Sequence, residues 1–187
     1  MYLFIDCETE EENTKLRELC ILLDDENRIT IGKLHYMNSP NGLHVEFFTT
    51  ANWINTAFSL TEALGHLCSQ AKFVIAHGIE HDARTAVWVY NGFAHRRRPV
   101  VPWNKDCVFH CTKTLATEVC KLGHPFESGY KWPTLMEAYK HIVNPEGFKR
   151  WHTALADTIA CRQVYYALLD GGLVPSYRTV PNRTVQR

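Results

Sequence analysis

The sequence predicts an α/β protein: a mixed central sheet of about five strands with helices on both faces. Strand-like segments crowd the first fifty residues, and alternating helix and strand patterns follow them. Two short runs, Tyr2-Leu3-Phe4-Ile5 and Phe73-Val74-Ile75-Ala76, are apolar throughout, as strands covered on both faces are. At 187 residues, 45% hydrophobic and 12% aromatic, the chain can bury the core of one domain, and it shows no internal repeat.

The elements follow in order. Tyr2 to Ile5 is the first strand, aromatic and β-branched. Leu19 to Leu23 and Ile29 to Ile31 flank the polar turn Asp24-Asp25-Glu26-Asn27 as a hairpin. His44 to Phe48 alternates after the turn-rich Asn38-Ser39-Pro40-Asn41-Gly42 and adds a further strand. Leu60, Leu64 and Leu67 recur at helical spacing up to Ala71, ahead of the Phe73 strand. Glu80 to Tyr90 is helical, with Ala83, Val87 and Tyr90 on one side, and Cys107-Val108-Phe109 is a third short apolar strand. Helices over Thr114–Leu122, Thr134–Ile142 and Ala154–Leu169 complete the fold, and Gly171-Gly172 ends the last one. Residues 1–172 therefore form one domain. Residues 173–187 carry Arg178, Arg183 and Arg187, two prolines and no acids, and read as a flexible basic tail.

Charge is zero overall but unevenly spread. Residues 1–30 hold nine acids against three bases, and the rest of the chain eleven against seventeen. A tight, non-specific duplex binder would show a basic excess, so that class is disfavoured, whereas an enzyme gripping a few nucleotides is not. No apolar run approaches the roughly 18 residues of a membrane span, and the first residues lack the positive start of a secretory signal. Seven cysteines, an odd number, read as reduced thiols. The expected compartment is the cytoplasm, with no membrane partner.

Four acids embedded in apolar sequence carry the chemistry: Asp6, Glu8, Asp82 and Asp157. An ionised carboxylate in such surroundings is expensive unless paired. Asp6 and Glu8, two apart, point to one face of a strand. Asp82 and Asp157 come from the starts of two helices, and His152 falls in the loop before the second, free to swing. In open α/β sheets the site lies beyond the carboxyl ends of the strands, where these residues fall. Together the acids would concentrate about four negative charges, a load that multivalent cations neutralise. An imidazole beside them, titrating close to neutral pH, suits a general base.

The arrangement resembles the DEDDh exonucleases, the DnaQ-like branch of the ribonuclease-H-like fold. The resemblance runs in order over roughly residues 2–170: Asp-x-Glu-Thr at Asp6–Thr9, His77 with Asp82, and His152 five residues before Asp157. Cys111-Thr112-Lys113-Thr114-Leu115-Ala116 also looks like the segment that follows the fifth strand in that family. The resemblance implies a ribonuclease-H-like sheet, Asp6, Glu8, Asp82 and Asp157 as ligands of two Mg²⁺ or Mn²⁺ ions, and His152 as the base. Thr9, His77 and His81 are the substrate-binding candidates, His77 foremost as a structural hydrogen-bonder lining the site and His81 either exposed or in contact with substrate. The implied activity is 3′→5′ hydrolysis of single-stranded DNA from its 3′ end, one mononucleotide at a time. Alternatives are a 3′→5′ exoribonuclease trimming RNA ends, or a catalytically silent binding subunit. Implied partners are DNA or RNA 3′ ends, with a polymerase or replication protein beside them.

Two departures from the family pattern bear on substrate binding. Gly78 and His81 stand where the family has Asn and an aromatic residue, and Glu10-Glu11-Glu12 replaces a glycine and a wedging leucine. Elsewhere, Cys107, Cys111, Cys120 and His124 have a spacing that could hold zinc, though buried free cysteines are the more usual outcome. The run His95-Arg96-Arg97-Arg98 is a basic surface loop that could touch phosphates. The aromatics Trp88, Trp103, Tyr130 and Trp132 read first as core or loop packing, with Trp103 and Trp132 the better candidates for base stacking.

Overall fold

The computed structural model of the protein describes residues 1–10, 15–39, 42–50, 59–93, 100–123 and 129–174. β1 (Tyr2–Glu10), β2 (Lys15–Asp24), β3 (Thr30–Ser39) and β4 (Gly42–Thr49) form an antiparallel meander. α1 (Leu60–Gln70) then leads to β5 (Phe73–Ala76), which lies parallel to β1. α2 (Ile79–Tyr90) precedes β6 (Val108–Cys111), parallel to β5. α3 (Thr112–Cys120), α4 (Leu135–Ile142) and α5 (Ala154–Asp170) complete the chain. The sheet order is β4-β3-β2-β1-β5-β6. It is a mixed α/β architecture with six strands rather than about five. β3 outruns its short Ile29–Ile31 pattern because it pairs along nearly the whole of β2.

Alternation along β1 divides the core. Leu3, Ile5 and Cys7 are buried on one face with Leu64, Leu67, Ala86 and Val89 of α1 and α2. Phe4 belongs to the other face, with Ala116, Tyr139 and Tyr165 of α3, α4 and α5. Its ring meets Tyr165 and Tyr166 edge-on, at centroid distances of 5.8 and 5.3 Å. Each such fully buried side chain contributes about 1.5–3 kcal/mol. Asp6 and Glu8 continue the Phe4 register, so they rise on the α5 side.

Strand pairing also explains where the site opens. β5 matches β1 only through Phe4↔Ile75, whereas β1 stays paired to β2 as far as Glu10↔Lys15. The acids therefore project from the second half of a strand, not from its end. Helix starts are defined locally. Ser59 with Glu62, and Thr134 with Glu137, form capping boxes, and Thr153 caps α5.

Leu173 donates its N–H to Leu168 O, and Val174 is buried beside α5, so the packed body runs past Gly172 to Val174. The rest of the expected tail, residues 175–187, and the basic run 95–98 lie outside the described residues. No helix among the described residues is long and apolar enough to cross a membrane.

Candidate functional site

The three sequence motifs converge beside the exposed half of β1. Asp82 is the fourth residue of α2, and its Oδ1 accepts a 3.1 Å hydrogen bond from Cys7 N–H, between Asp6 and Glu8. That amide lies past the last β1–β5 pair, so the carboxylate takes the place of a strand partner. Asp157 is the fourth residue of α5, and its Oδ2 accepts from His152 N–H at 3.2 Å. Its Oδ1 is buried and has no hydrogen-bond partner among the described residues. Glu8, His152 and Asp157 each bring one ligand atom within 4.8 Å of the others. No other such group of three converges among the described residues.

His152 stands outside α5, as its spacing predicts, but its backbone is not free to swing. It holds a left-handed φ of 64°. Its carbonyl accepts from Arg17 Nη2 at 3.0 Å, and its N–H is committed to Asp157. The residue is exposed, its ring tilted against Trp151 at a centroid distance of 4.3 Å.

Electrostatics sets these acids apart. Burial first, then the charges of Asp82, Asp157, Glu8 and Glu18, hold the Asp6 carboxyl well above the ordinary carboxylate range. Burial pushes Asp82 up to about 7, against the opposing hydrogen bonds from Cys7 and Gly78. Asp157 is pushed up to about 6 by burial and by the Glu8 charge, with the His152 N–H pulling the other way. Without a cation the cluster therefore stays partly protonated near neutrality. Oxygen donors, mutual repulsion and an orphaned buried oxygen suit a hard divalent cation.

Two contributors were hidden in the sequence. Glu18 is buried and pairs directly across from Glu8 in the β1–β2 register. Its Oε1 lies 2.7 Å from His35 Nε2 and accepts from Leu155 N–H at 3.3 Å, joining β3, β2 and the first turn of α5. Arg17 approaches Glu8 at 3.4 Å as well as the His152 carbonyl, linking the first and third motifs. An acid within Leu16-Arg17-Glu18-Leu19-Cys20-Ile21 meets the criterion that singled out the other four. Only the cross-strand register shows that it faces them.

The remaining candidates divide. Thr9 follows the register shift between Glu8 and Thr9. His77 has both ring nitrogens engaged, with Thr112 Oγ1 and Pro133 O, each at 2.9 Å. A carbonyl only accepts, so Nε2 carries the proton and Nδ1 accepts from the threonine hydroxyl. Burial holds His77 down at about 4, so the ring is neutral. Its engaged nitrogens match the structural hydrogen-bonding role that its sequence position suggests, and the ring braces Pro133 and Thr112. His81 is half-buried on the first turn of α2 and faces a groove. Gly78 leaves that helix without a side-chain cap.

Trp103, one of the two stacking candidates, instead takes the packing role that is the more usual one: it meets Phe109 edge-on at 5.7 Å and lies partly buried against the α1–α2 side of the core. Trp132 is 66% exposed. Cys107, Cys111 and Cys120 are free and join no converging ligand group, and His124 lies outside the described residues. The chain matches no family model and no curated protein.

Proposed function

We propose that the chain is a metal-dependent 3′→5′ exonuclease of the DEDDh branch, with a ribonuclease-H-like fold, acting on single-stranded DNA. One observation carries the reading. Carboxylates separated by up to about 150 residues of sequence lie close enough to raise one another's proton affinity, and one of them, Asp157, has a buried oxygen that accepts no hydrogen bond from the described residues. Glu8, Glu18, Asp82 and Asp157 each have a donor or cation beside them, yet burial and the remaining mutual repulsion raise Asp6, Asp82 and Asp157.

Asp6, Glu8, Asp82 and Asp157 would hold two Mg²⁺ or Mn²⁺ ions. Such ions supply Lewis-acid activation of the phosphoryl group and of the leaving 3′ oxygen. His152, on the exposed rim beside Glu8 and Asp157, takes the proton from the attacking water. Asp82 and Asp157 are oriented by the Cys7 and His152 amides. Glu18, held by His35 and Leu155, fixes the first turn of α5 against the sheet.

A 5′-labelled DNA oligonucleotide and its RNA counterpart, incubated with Mn²⁺ or Mg²⁺, test the reading. The expected result is stepwise shortening from the 3′ end, faster on DNA, blocked by a 3′-phosphate and absent in Asp157→Asn. Faster RNA shortening moves the substrate to RNA ends. Cutting of a closed circle, or turnover that persists in chelator, overturns it.

A further inference from the structure

Beside the carboxylates, the first turns of α2 and α3 and the segment around Trp132 enclose a groove of about 450 Å³. That lies within the roughly 300–1,000 Å³ of sites that hold small ligands. Gly78, His81 and Arg84 line it from α2, and Lys113 and Trp132 from the opposite wall.

Trp132 is the most exposed of the large apolar side chains on the described surface, yet its backbone is fixed on both sides. Lys131 N–H donates to Leu122 O at 2.8 Å. Pro133 O accepts from the His77 ring at 2.9 Å, and Thr134 N–H donates to Glu137 at 2.9 Å. An indole left in water on a rigid base loses little entropy when something stacks on it. Lys113 Nζ already sits 4.9 Å from the ring centroid.

The cations of the groove are not neutralised by acids. Neither Arg84 nor Lys113 has an ion-pair partner among the described residues. Glu80, one turn before Arg84, also lines the groove but does not pair with it. An exposed aromatic plane flanked by cations without acidic partners, one of them already over the ring, fits an unpaired base with its backbone phosphates. A duplex would hide the base faces. The His77 brace ties this wall to the strand end from which α2 and Asp82 emerge, so groove and carboxylates are held together.

We propose that the groove is a second nucleotide subsite. Trp132 stacks a base of a single strand, and Lys113 and Arg84 hold its phosphates, while the strand's 3′ end lies at the carboxylates. The subsite rests on the nuclease reading for its placement along the strand but can be tested without turnover. Stacking accepts any base, so affinity varies little with sequence and falls with salt.

The test measures anisotropy of 5′-fluorescein-labelled (dT)₁₀ with Ca²⁺ in place of Mg²⁺, alongside steady-state cleavage of unlabelled (dT)₁₀ and (dT)₂. Trp132→Ala should weaken binding about tenfold, toward the low end of what base–aromatic stacking contributes, and Trp132→Phe should restore most of it. The double variant Arg84→Ala with Lys113→Ala should lower the salt slope of log K by about 1.4, two single-strand phosphates' worth. The preference for (dT)₁₀ over (dT)₂ should shrink in both. Cleavage by the wild type with unchanged affinity and unchanged length preference in these variants overturns the subsite and leaves the nuclease standing. Binding that depends on Trp132 in a protein that cleaves nothing supports the subsite and removes the nuclease. A wild type that does not bind (dT)₁₀ removes the subsite.

Discussion

Helix α5 has a buried acid at each end, and the two are treated in opposite ways. Toward its C-terminal half, Asp24 of β2 is fully buried, yet every donor it needs is supplied. Arg162 Nε lies at 2.5 Å, the Tyr166 hydroxyl at 2.7 Å and the Thr30 hydroxyl at 2.8 Å. At the N-terminal end, Asp157 joins Asp6, Asp82, Glu8 and Glu18, and its Oδ1 has no partner among the described residues. A carboxylate buried for stability comes with its own cation. One buried among other carboxylates is held at a cost, and that cost points to a ligand or a reaction.

The sharpest way to break the comparison is to remove acids at the N-terminal end. Asp6→Ala, Glu8→Ala or Asp157→Ala should abolish the proposed nuclease activity. Removing one charge also relieves repulsion, so the metal-free melting temperature should hold or rise. A large fall in melting temperature together with lost activity would make these acids structural, like Asp24, and full activity would remove them from the site.

His152→Ala should come next, costing on the order of 10²–10⁴ in turnover, the usual worth of a positioned base. Cation affinity should survive, because Mg²⁺ prefers oxygen ligands. The Nδ1 or Nε2 of His152 does approach Glu8 and Asp157, so calorimetry decides its role. Loss of Mn²⁺ binding as severe as in Asp157→Ala would make His152 a ligand and leave His81 as the next candidate base.

At the other end of α5 the signs reverse. Arg162→Ala leaves Asp24 buried with hydroxyl partners only, and removing one member of a buried pair costs about 3–5 kcal/mol. Chemical denaturation should show that loss, while activity per folded molecule stays near the wild type. A variant that unfolds no more easily would mean that the two hydroxyls suffice for Asp24.

The same contrast explains what could be read from the sequence. Asp6 with Glu8, and His152 with Asp157, are legible because each pair belongs to one local element, where strand alternation or a helix start sets the geometry. Helix positions were legible too: Glu80–Tyr90 became Ile79–Tyr90, and Ala154–Leu169 became Ala154–Asp170. Glu18 and Arg17 were not, because their meaning depends on the β1–β2 register, which joins residues through pairing and not through spacing. Nor could spacing separate Trp103 from Trp132. Both sit in loops beside prolines, and only the tertiary fold shows that the first is half-buried against the α1–α2 side of the core. The hydrogen-bonding role of His77 can be read from its motif, but not its partners Pro133 and Thr112, which lie 56 and 35 residues away in sequence.

The smallest effect sharpens the comparison most, because it reads the cost of the acidic end directly. In chelator, folded Asp82 keeps its proton up to about 7 and Asp157 up to about 6, whereas unfolded carboxylates release theirs near 3.8. Between these limits the folded state binds more protons, so this contribution to stability is complete below about pH 4 and is lost as pH rises through 6 to 7. A divalent cation takes over the role of the protons. The rise in melting temperature on adding Mg²⁺ should therefore be small near pH 5 and grow through neutrality. Asp157→Asn, which keeps the shape but never ionises, should flatten the metal-free decline and reduce the Mg²⁺ increment. Thermal melts of both proteins, with chelator and with Mg²⁺, between about pH 4 and pH 8 measure this. A Mg²⁺ increment that is the same at every pH, or the same in Asp157→Asn, would show that the cation binds elsewhere and that the unpartnered oxygen of Asp157 is not its seat.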